Sequence, residues 1–398
     1  MDQTWLENIL VRRHSDETPA KVLDLKVTQA VGKGENYLSL VKKINATILL
    51  LSGGKRNICL IVKDSHQNPE MKKMTTRGGF FEREITMYRD ILPKMEDLIH
   101  SMDHPIEPLW PKCYSFTLYD QLVFEDLTAR GYKMIDRKLQ QDLAHSRLVF
   151  TKLGQLHSLS KIILDRFEIQ QGNFRNMWCQ PGITSNVIER SIAGLGKEIA
   201  SWGDEWKEIL ARFDEAKSSF YSRLVEALTP KPSDFLVLNH GDCWSNNMLF
   251  KNDEETGHPI SMKFIDFQIS NIGSPINDLH YFVATSVQPE IYKNHSDELL
   301  RTYCDSLKAN LTELKYEGTV PGFEELKHKM DDTRIAQFCF GICLTPVIIG
   351  DKGDVPDLEN VVEDGSKKPE INGYDNLNDR SRTYLKNLIK EATDSDLI

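Results

Sequence analysis

The feature that most constrains the fold is a change of periodicity near residue 125. Before it, short apolar runs are broken by Gly, Asn and Asp, as is typical of β-strands, in KVLDLKVTQAVG, YLSLVKKINATILLL, NICLIVKD and YSFTLYDQLVFED. After it, the spacing of apolar residues becomes mostly helical, in DLAHSRLVFTKLGQLHSLSKII, EWKEILARFDEAKSSFYSRLVEAL, DELLRTYCDSLKANL and RTYLKNLIKEA. The sequence therefore predicts a bilobal α+β chain, with a small antiparallel β-lobe over residues 1–124 and a larger, mostly helical lobe over residues 125–398.

One helix is predicted to interrupt the strands of the first lobe. In GFFEREITMYRDIL, apolar side chains recur at helical spacing at Phe81, Ile85, Tyr88 and Leu92. Glu84 is next to Ile85 and three residues after Phe81, so this carboxylate is expected to lie beside the apolar face of the helix.

Composition excludes several classes of protein. The 49 basic and 59 acidic residues give a net charge of −10, and no dense basic cluster predicts a nucleic-acid partner. The acidic N-terminus is unlike a signal peptide, and the longest apolar run, FCFGICLTPVII, is too short to span a bilayer. The seven cysteines form no C-x-x-C pair and are expected to be reduced thiols. A cytoplasmic protein without a membrane partner is predicted, and nothing in the sequence indicates its oligomeric state.

Two polar motifs follow apolar, strand-like runs in the second lobe. LVLNHGDCWSNNMLF carries His240, Asp242 and Asn247 in an H-x-D-x-x-x-x-N pattern, and MKFIDFQIS carries Asp266 in a D-F-x pattern. Phosphoryl transfer needs one carboxylate to hold the acceptor hydroxyl, and an amide and a second carboxylate to hold Mg²⁺. Loops after strands are often rich in Asp and Asn, but the two motifs together supply this whole set. They predict a phosphotransferase site.

The same chemistry predicts partners upstream in the β-lobe. A glycine turn over the phosphates is offered by Gly32 and Gly34, a strand lysine by Lys63, and its helical partner by Glu84. Taken singly, these residues would also suit an ordinary hairpin turn, a strand-end lysine and a solvated helix charge. Their order along the chain favours the phosphotransferase interpretation. No Walker A motif supports a different nucleotide-binding architecture.

These motifs resemble those of the ecdysteroid kinase-like family, the choline-kinase-like (CHK) group of insects within the protein-kinase-like fold. The segments that carry the resemblance, in family order, are FEREITMY, LVFEDL, LGQLHSLS, HGDCWSNNMLF, FIDFQ and SPINDLHYFVATS. The resemblance implies that a hinge at residues 123–127 binds adenine through its backbone, with the nucleotide-binding residues Val123, Phe124, Glu125 and Asp126. It also implies that Asp278 braces the catalytic loop, that His240 orders it, and that Trp244 lines the acceptor side.

The chain departs from regulated protein kinases at several positions. Gly241 replaces the arginine of H-R-D, and no A-P-E motif closes an activation segment, so a protein substrate is not expected. Gln268 replaces the glycine of D-F-G, and the glycine turn lacks a third glycine. These departures favour a small-molecule acceptor.

The sequence as a whole predicts an ATP-dependent small-molecule O-phosphotransferase. Asp242 is expected to take the acceptor proton, Asn247 and Asp266 to bind Mg²⁺, Lys63 to hold ATP phosphates and Glu84 to position Lys63. The family resemblance suggests an ecdysteroid or a similar apolar alcohol as acceptor. Two alternatives stay open: a choline or ethanolamine kinase, and a nucleotide-binding pseudokinase that serves as an interaction module.

Overall fold

The computed structural model of the chain describes residues 1–11, 19–29, 40–65, 78–117, 120–350, 374 and 377–398. Within them, the N-terminal region is an antiparallel sheet of strand order β1-β2-β3-β5-β4. Its strands are β1 (Pro19–Gln29), β2 (Leu40–Leu50), β3 (Lys55–Asp64), β4 (Cys113–Thr117) and β5 (Gln121–Glu125). The predicted antiparallel β-rich region is confirmed.

The two faces of this sheet bury different residues because side chains alternate along a strand. Leu60, Val62 and Val123 point to one face and pack against helix α1 (Gln3–Val11) in a small core. Leu122 and Phe124 point to the other face and join the main core of the protein. Lys63 pairs with Leu122 in the register of β3 and β5 and therefore faces the second side. This side carries the candidate site.

The predicted interrupting helix is present, with a local irregularity. Helix α2 (Phe80–Thr86) continues through one π-helical segment (Met87–Ile91) into α3 (Leu92–His100). The four apolar side chains expected on its inner face, Phe81, Ile85, Tyr88 and Leu92, are all buried. Glu84 is buried with them, beside the apolar face as the sequence predicted.

The C-terminal region is mostly helical, as expected. Its α-helices are α4 (Leu143–Arg166), α5 (Ile183–Ser201), α6 (Lys207–Ala216), α7 (Phe220–Leu228), α8 (Ile276–Ser286), α9 (Pro289–Glu313), α10 (Phe323–Asp332), α11 (Arg334–Cys343), α12 (Thr345–Ile348) and α13 (Asp379–Asp394). Helix α4 packs along α9, and every residue of α8 is buried. The run FCFGICLTPVII forms most of α11 and α12 in the core.

Four short strands place the two polar motifs side by side. Strand β6 (Val237–Asn239) pairs with β9 (Asn271–Gly273), and β7 (Met248–Asn252) pairs with β8 (Pro259–Phe264). Residues 240–247 connect β6 to β7, and residues 265–270 connect β8 to β9. Since both connections join the same two strand pairs, they lie at one end of the hairpins.

Other predictions concern the surface and the cysteines. All seven cysteines are free thiols. Across the described ranges, no helix is long and apolar enough to cross a membrane. Gly32 and Gly34, predicted to form the turn over the phosphates, lie outside the described residues.

Candidate active site

The catalytic-loop and D-F-Q motifs are held together by their hairpin. The pairing of Met248 with Phe264 continues one step further, because the backbone N–H of Ile265 donates to the carbonyl oxygen of Asn247 at 3.0 Å. Asn247 is therefore fixed beside the residue that precedes Asp266. Two residues 19 positions apart in sequence become neighbours at one end of a hairpin.

Lys63 joins the β-sheet, helix α2 and the D-F-Q loop. Its Nζ lies 2.6 Å from Glu84 Oε2 and 2.8 Å from Asp266 Oδ1. Lys63 and Glu84 are both buried, and Asp266 is largely so. A buried ammonium is stabilised only when it is paired and hydrogen-bonded, and this one contacts two carboxylates. The contact between Lys63 and Glu84 is the one that the sequence predicted.

Burial and charge act in opposite directions on this cluster. Burial alone would lower the pKa of Lys63, but Asp266 and Glu84 outweigh it, so this pKa is raised. Burial also raises the pKa of Glu84, although Lys63 opposes that shift. The raised pKa of Lys63 requires charged carboxylates beside it, whereas the raised pKa of Glu84 favours the neutral acid. We favour the ionic form, since an ammonium 2.6 Å from the carboxylate stabilises its charge directly.

Both carboxylate oxygens of Asp242 carry a hydrogen bond. Asn247 Nδ2 donates to Oδ2 at 2.8 Å, and the hydroxyl of Tyr281 donates to Oδ1 at 2.6 Å. Asp242 is partly buried, and burial raises its pKa, opposed by the hydrogen bonds from Tyr281 and Asn247. A carboxylate oxygen can accept two hydrogen bonds, so each still has room for one more donor.

Asp266 adopts an unusual backbone conformation. Its φ is 67°, in the left-handed region that residues other than glycine seldom occupy. Its Oδ2 accepts a hydrogen bond from Gln268 Nε2 at 3.3 Å, and the carbonyl of Gln268 accepts one from Arg83 of α2. Left-handed non-glycine residues persist where surrounding contacts impose them, and they cluster at functional sites.

Asp278 of α8 supports the catalytic loop through the backbone. Its carboxylate accepts the N–H of His240 at 2.7 Å and that of Gly241 at 2.9 Å, and it lies 3.1 Å from His157 Nε2. Burial would raise the pKa of Asp278, but its bond to His157 and the bonds from the loop outweigh burial and lower it. These contacts match the bracing role that the family resemblance implied.

His240 and Gly241 order the loop in different ways. His240 is buried, with Nε2 3.0 Å from the carbonyl of Ile265 and Nδ1 3.2 Å from the backbone N of Asp242. Gly241 has a φ of 85°, and a Cβ there would lie 2.2 Å from the carbonyl oxygen of Ile269. The loop therefore requires glycine where regulated protein kinases have arginine.

The hinge predicted at residues 123–127 includes the end of a paired strand, β5. Val123 and Phe124 are paired on both sides, with β3 and with β4. The backbone N–H of Glu125 donates to Lys112, and that of Asp126 donates to Cys59. These two N–H groups are thus not available to adenine. The hinge remains a proposal, in which adenine would contact the backbone carbonyl oxygens of these residues or the backbone of neighbouring residues.

Trp244 lies two residues after Asp242 and is partly buried against the main core. Its backbone N–H donates to the carbonyl of Asp242 at 3.0 Å, so the residue lies at the same end of the hairpins as Asp242. This position is compatible with an acceptor-side role, which stays a prediction.

The sequence analysis missed Tyr281, whose hydroxyl is the shortest contact of Asp242. A signal was present. Residues three apart on a helix share a face, so a helix that turns Asp278 toward the catalytic loop also turns Tyr281 toward it. The segment SPINDLHYFVATS contains both residues, but its tyrosine was not singled out.

A cavity of about 500 Å³ lies elsewhere in the helical region. Its lining includes His280 of α8, Tyr292 of α9, Arg334 of α11, Glu391 of α13 and Val287 between α8 and α9. None of the predicted catalytic or metal-binding residues lines it. It is therefore separate from the candidate site.

The donor set at the hairpin end suits Mg²⁺. In the part of the chain that the structure describes, no group of three or more His, Cys, Asp or Glu side chains could hold a metal by itself. Magnesium does not need one, because it is usually held by one or two carboxylates together with substrate phosphates and water. Asp266 offers a carboxylate, and Asn247, whose Nδ2 is bonded to Asp242, offers its amide oxygen. These residues fit the ion.

Comparison with known proteins gives one family. The model of the ecdysteroid kinase-like family matches residues 33–316, which is more than half of the 398 residues. None of the curated proteins matches the chain by sequence.

Solved structures resemble the chain only distantly. A GDP complex of a point mutant of aminoglycoside 2′-phosphotransferase-IIIa aligns with 8% identity and a TM-score of 0.40, covering 100% of this chain and 98% of that chain. The GDP complex of the wild-type enzyme aligns with 10% identity and a TM-score of 0.36, covering 100% of both chains. With TM-scores this low, neither structure assigns a property to the present chain.

Proposed function

The chain belongs to the ecdysteroid kinase-like family and is an ATP-dependent small-molecule kinase, and we propose that it phosphorylates a hydroxyl of an ecdysteroid or a similar apolar alcohol. In this proposal Asp242 is the catalytic residue, Asn247 and Asp266 bind Mg²⁺, Lys63 holds the phosphates of ATP, and Glu84 positions Lys63. The family supports the reaction class, and the geometry of the site supports the roles.

The observation that carries the proposal is the double contact of Lys63. A buried lysine that reaches both Glu84 and Asp266 links three separate parts of the chain, at 2.6 and 2.8 Å. A purely structural ion pair would need only one carboxylate. A cation shared with the proposed metal ligand is placed to contact anionic phosphates next to that ligand. Lys63, Glu84 and Asp266 thus form one site. Polar residues of unrelated loops would not need to meet in this way.

Asp242 is suited to hold an acceptor hydroxyl. Its two hydrogen bonds fix the plane of the carboxylate and leave one acceptor position on each oxygen. An alcohol bound there would donate its hydrogen bond to Asp242, which orients the alcohol oxygen for attack. Asp242 takes the proton of the alcohol as the new oxygen–phosphorus bond forms, while the bond between the γ-phosphorus and the bridging oxygen breaks and ADP leaves. An alcohol could therefore bind Asp242 without moving Asn247.

Mg²⁺, when bound, would neutralise the charge that develops on the phosphoryl oxygens. The residues of this chain act around it: Asp266 and Asn247 offer oxygen ligands, and Lys63 supplies the second positive charge. Gln268 donates to Asp266 and helps to orient its carboxylate.

The acceptor is proposed from the family and from the partly buried Trp244 beside Asp242. A polyhydroxylated steroid needs an apolar wall with a few hydrogen-bonding groups, whereas choline needs a cage of aromatic or acidic side chains. One partly exposed indole ring can form part of an apolar wall, whereas a single ring does not make a cage around a quaternary ammonium.

The test is a side-by-side transfer assay with γ-labelled ATP and Mg²⁺. Ecdysone, 20-hydroxyecdysone, choline and ethanolamine are compared by kcat/KM. We expect an ecdysteroid to rank first and the signal to disappear when EDTA replaces Mg²⁺. Choline or ethanolamine in first place would overturn the acceptor but not the reaction. Absence of transfer to any of them, with thermal stabilisation by Mg-ATP retained, would indicate the nucleotide-binding pseudokinase instead, and absence of both would contradict either hypothesis.

A further inference from the structure

Tyr281 contacts the proposed catalytic carboxylate but belongs to none of the motifs that define the site. Its hydroxyl donates to Asp242 Oδ1 at 2.6 Å. We propose that Tyr281 is a positioning residue of the phosphoryl transfer, whose hydroxyl fixes the carboxylate of Asp242 in the orientation that receives the acceptor alcohol. This inference rests on the proposed function, since it requires Asp242 to be the catalytic residue.

The first argument is the division of labour between two donors. Tyr281 bonds Oδ1 of Asp242, and Asn247 bonds Oδ2 at 2.8 Å. Rotation of the carboxylate about its Cβ–Cγ bond would break both hydrogen bonds at once. The group is therefore held in one plane. Because each oxygen keeps one free acceptor position, an alcohol can bind without displacing either donor.

The second argument is that Tyr281 is fixed and remains a donor. Its ring packs against Trp178 and Phe340, with centroid separations of 6.4 and 5.0 Å, and those two rings are 5.1 Å apart. Tyr281 is only 6% exposed, so these ring contacts hold it inside the protein. Burial and the neighbouring Asp242 raise the pKa of Tyr281 well above its usual value, so the hydroxyl keeps its proton.

The third argument is the position of Tyr281 on its helix. Asp278 lies one turn earlier on α8 and holds the backbone of His240 and Gly241, directly before Asp242. The same helix face thus supports this loop twice: Asp278 holds the backbone of the two residues before Asp242, and Tyr281 holds the carboxylate of Asp242. The single hydrogen of the tyrosine hydroxyl is donated to Asp242, so Tyr281 cannot also donate to the acceptor alcohol.

The experiment compares Asp242→Asn, Tyr281→Phe and the double variant. Tyr281→Phe removes one oxygen and keeps the ring between Trp178 and Phe340. The matched control is Tyr384→Phe, because the hydroxyl of Tyr384 also bonds a partner on α8, the carbonyl of Ala284 at 3.0 Å, away from Asp242. The readout is ADP formation from Mg-ATP, with and without 20-hydroxyecdysone, together with KM for ATP and the melting temperature.

We expect Tyr281→Phe to lower kcat by about 10- to 100-fold, as for the loss of one hydrogen bond to a charged group, with KM for ATP within about twofold of wild type. In the Asp242→Asn background the same change should lower kcat less than about twofold, because Tyr281 acts through Asp242. Tyr384→Phe should leave kcat unchanged.

Two results would overturn the role of Tyr281 alone: a wild-type kcat in Tyr281→Phe, or an equal loss in both backgrounds, which a general structural effect would produce. A melting temperature that falls far more in Tyr281→Phe than in Tyr384→Phe, with kcat per folded molecule unchanged, has the same meaning. If Asp242→Asn retains wild-type kcat, the proposed function fails instead, and the inference fails with it.

Discussion

Asp278 is a buried carboxylate whose hydrogen bonds allow the effect of a single substitution to be estimated. It accepts the backbone N–H groups of His240 and Gly241 at 2.7 and 2.9 Å, and its side chain is almost fully buried. Asp278→Asn keeps the volume but replaces one acceptor oxygen by an NH₂ donor. One of the two loop N–H groups then faces another donor, and the other loses a charged acceptor.

The size of the effect follows from these two changes. A buried N–H left without an acceptor costs about 1–3 kcal/mol, and a hydrogen bond to a charged group is about 1 kcal/mol stronger than one to a neutral group. We therefore expect Asp278→Asn to lower the free energy of unfolding by about 2–4 kcal/mol. Because the loop carries Asp242, kcat should also fall, by about tenfold or more.

The assay is urea denaturation followed by tryptophan fluorescence, with the transfer assay in parallel. The control is Asp142→Asn, at the exposed N-cap of α4, where Asp142 accepts the N–H of His145 at 2.9 Å. Asparagine caps a helix as well as aspartate does, so this change should stay within about 0.5 kcal/mol. An equally small effect for Asp278→Asn would refute the bracing of the loop.

Two further predictions test the glycine of the loop and the partner of Lys63. Gly241→Ala should lower the free energy of unfolding by at least about 2 kcal/mol, since a Cβ would lie 2.2 Å from a carbonyl oxygen. The control Gly257→Ala, at a φ of 72° with nothing within 4 Å, should lower it by about 1 kcal/mol. Equal effects of the two substitutions in thermal denaturation would contradict the steric argument. Glu84→Gln should reduce kcat/KM for ATP by about 10- to 100-fold, as expected for the loss of one hydrogen bond to a charged group. The control Glu82→Gln, at an exposed position of the same helix, should leave kcat/KM unchanged. The same kcat/KM in both variants would show that Glu84 is not part of the site.

The sequence was sufficient for the parts of the site that are local or ordered along the chain. Asp242 and Asn247 lie within one short loop, and Asp266 follows one hairpin later, so their spacing already predicts their proximity. Lys63 and Glu84 were found because a strand lysine followed by a helical glutamate is a recurrent order. The contact between them depends on packing, which the apolar face around Glu84 indicated.

Long-range side-chain contacts were less accessible to sequence reasoning. Tyr281 meets Asp242 across 39 positions, and only the orientation of α8, set by its burial on all sides, brings them together. The π-helical segment at residues 87–91 has no sequence signature that periodicity could detect. The backbone N–H groups of Glu125 and Asp126 donate to Lys112 and Cys59 at the end of strand β5. These contacts depend on the register of the strands, which the sequence pattern does not specify. The division into lobes at residue 124 stays a prediction.

The measurement that tests the central claim most directly is phosphoryl transfer by Asp242→Asn, paired with its thermal stabilisation by Mg-ATP. The substitution removes the carboxylate that would take the acceptor proton and leaves the proposed metal and phosphate residues in place. We expect kcat to fall by about 100-fold or more, with the rise in melting temperature on adding Mg-ATP retained. Wild-type turnover in this variant would contradict the assignment of Asp242 as the catalytic residue.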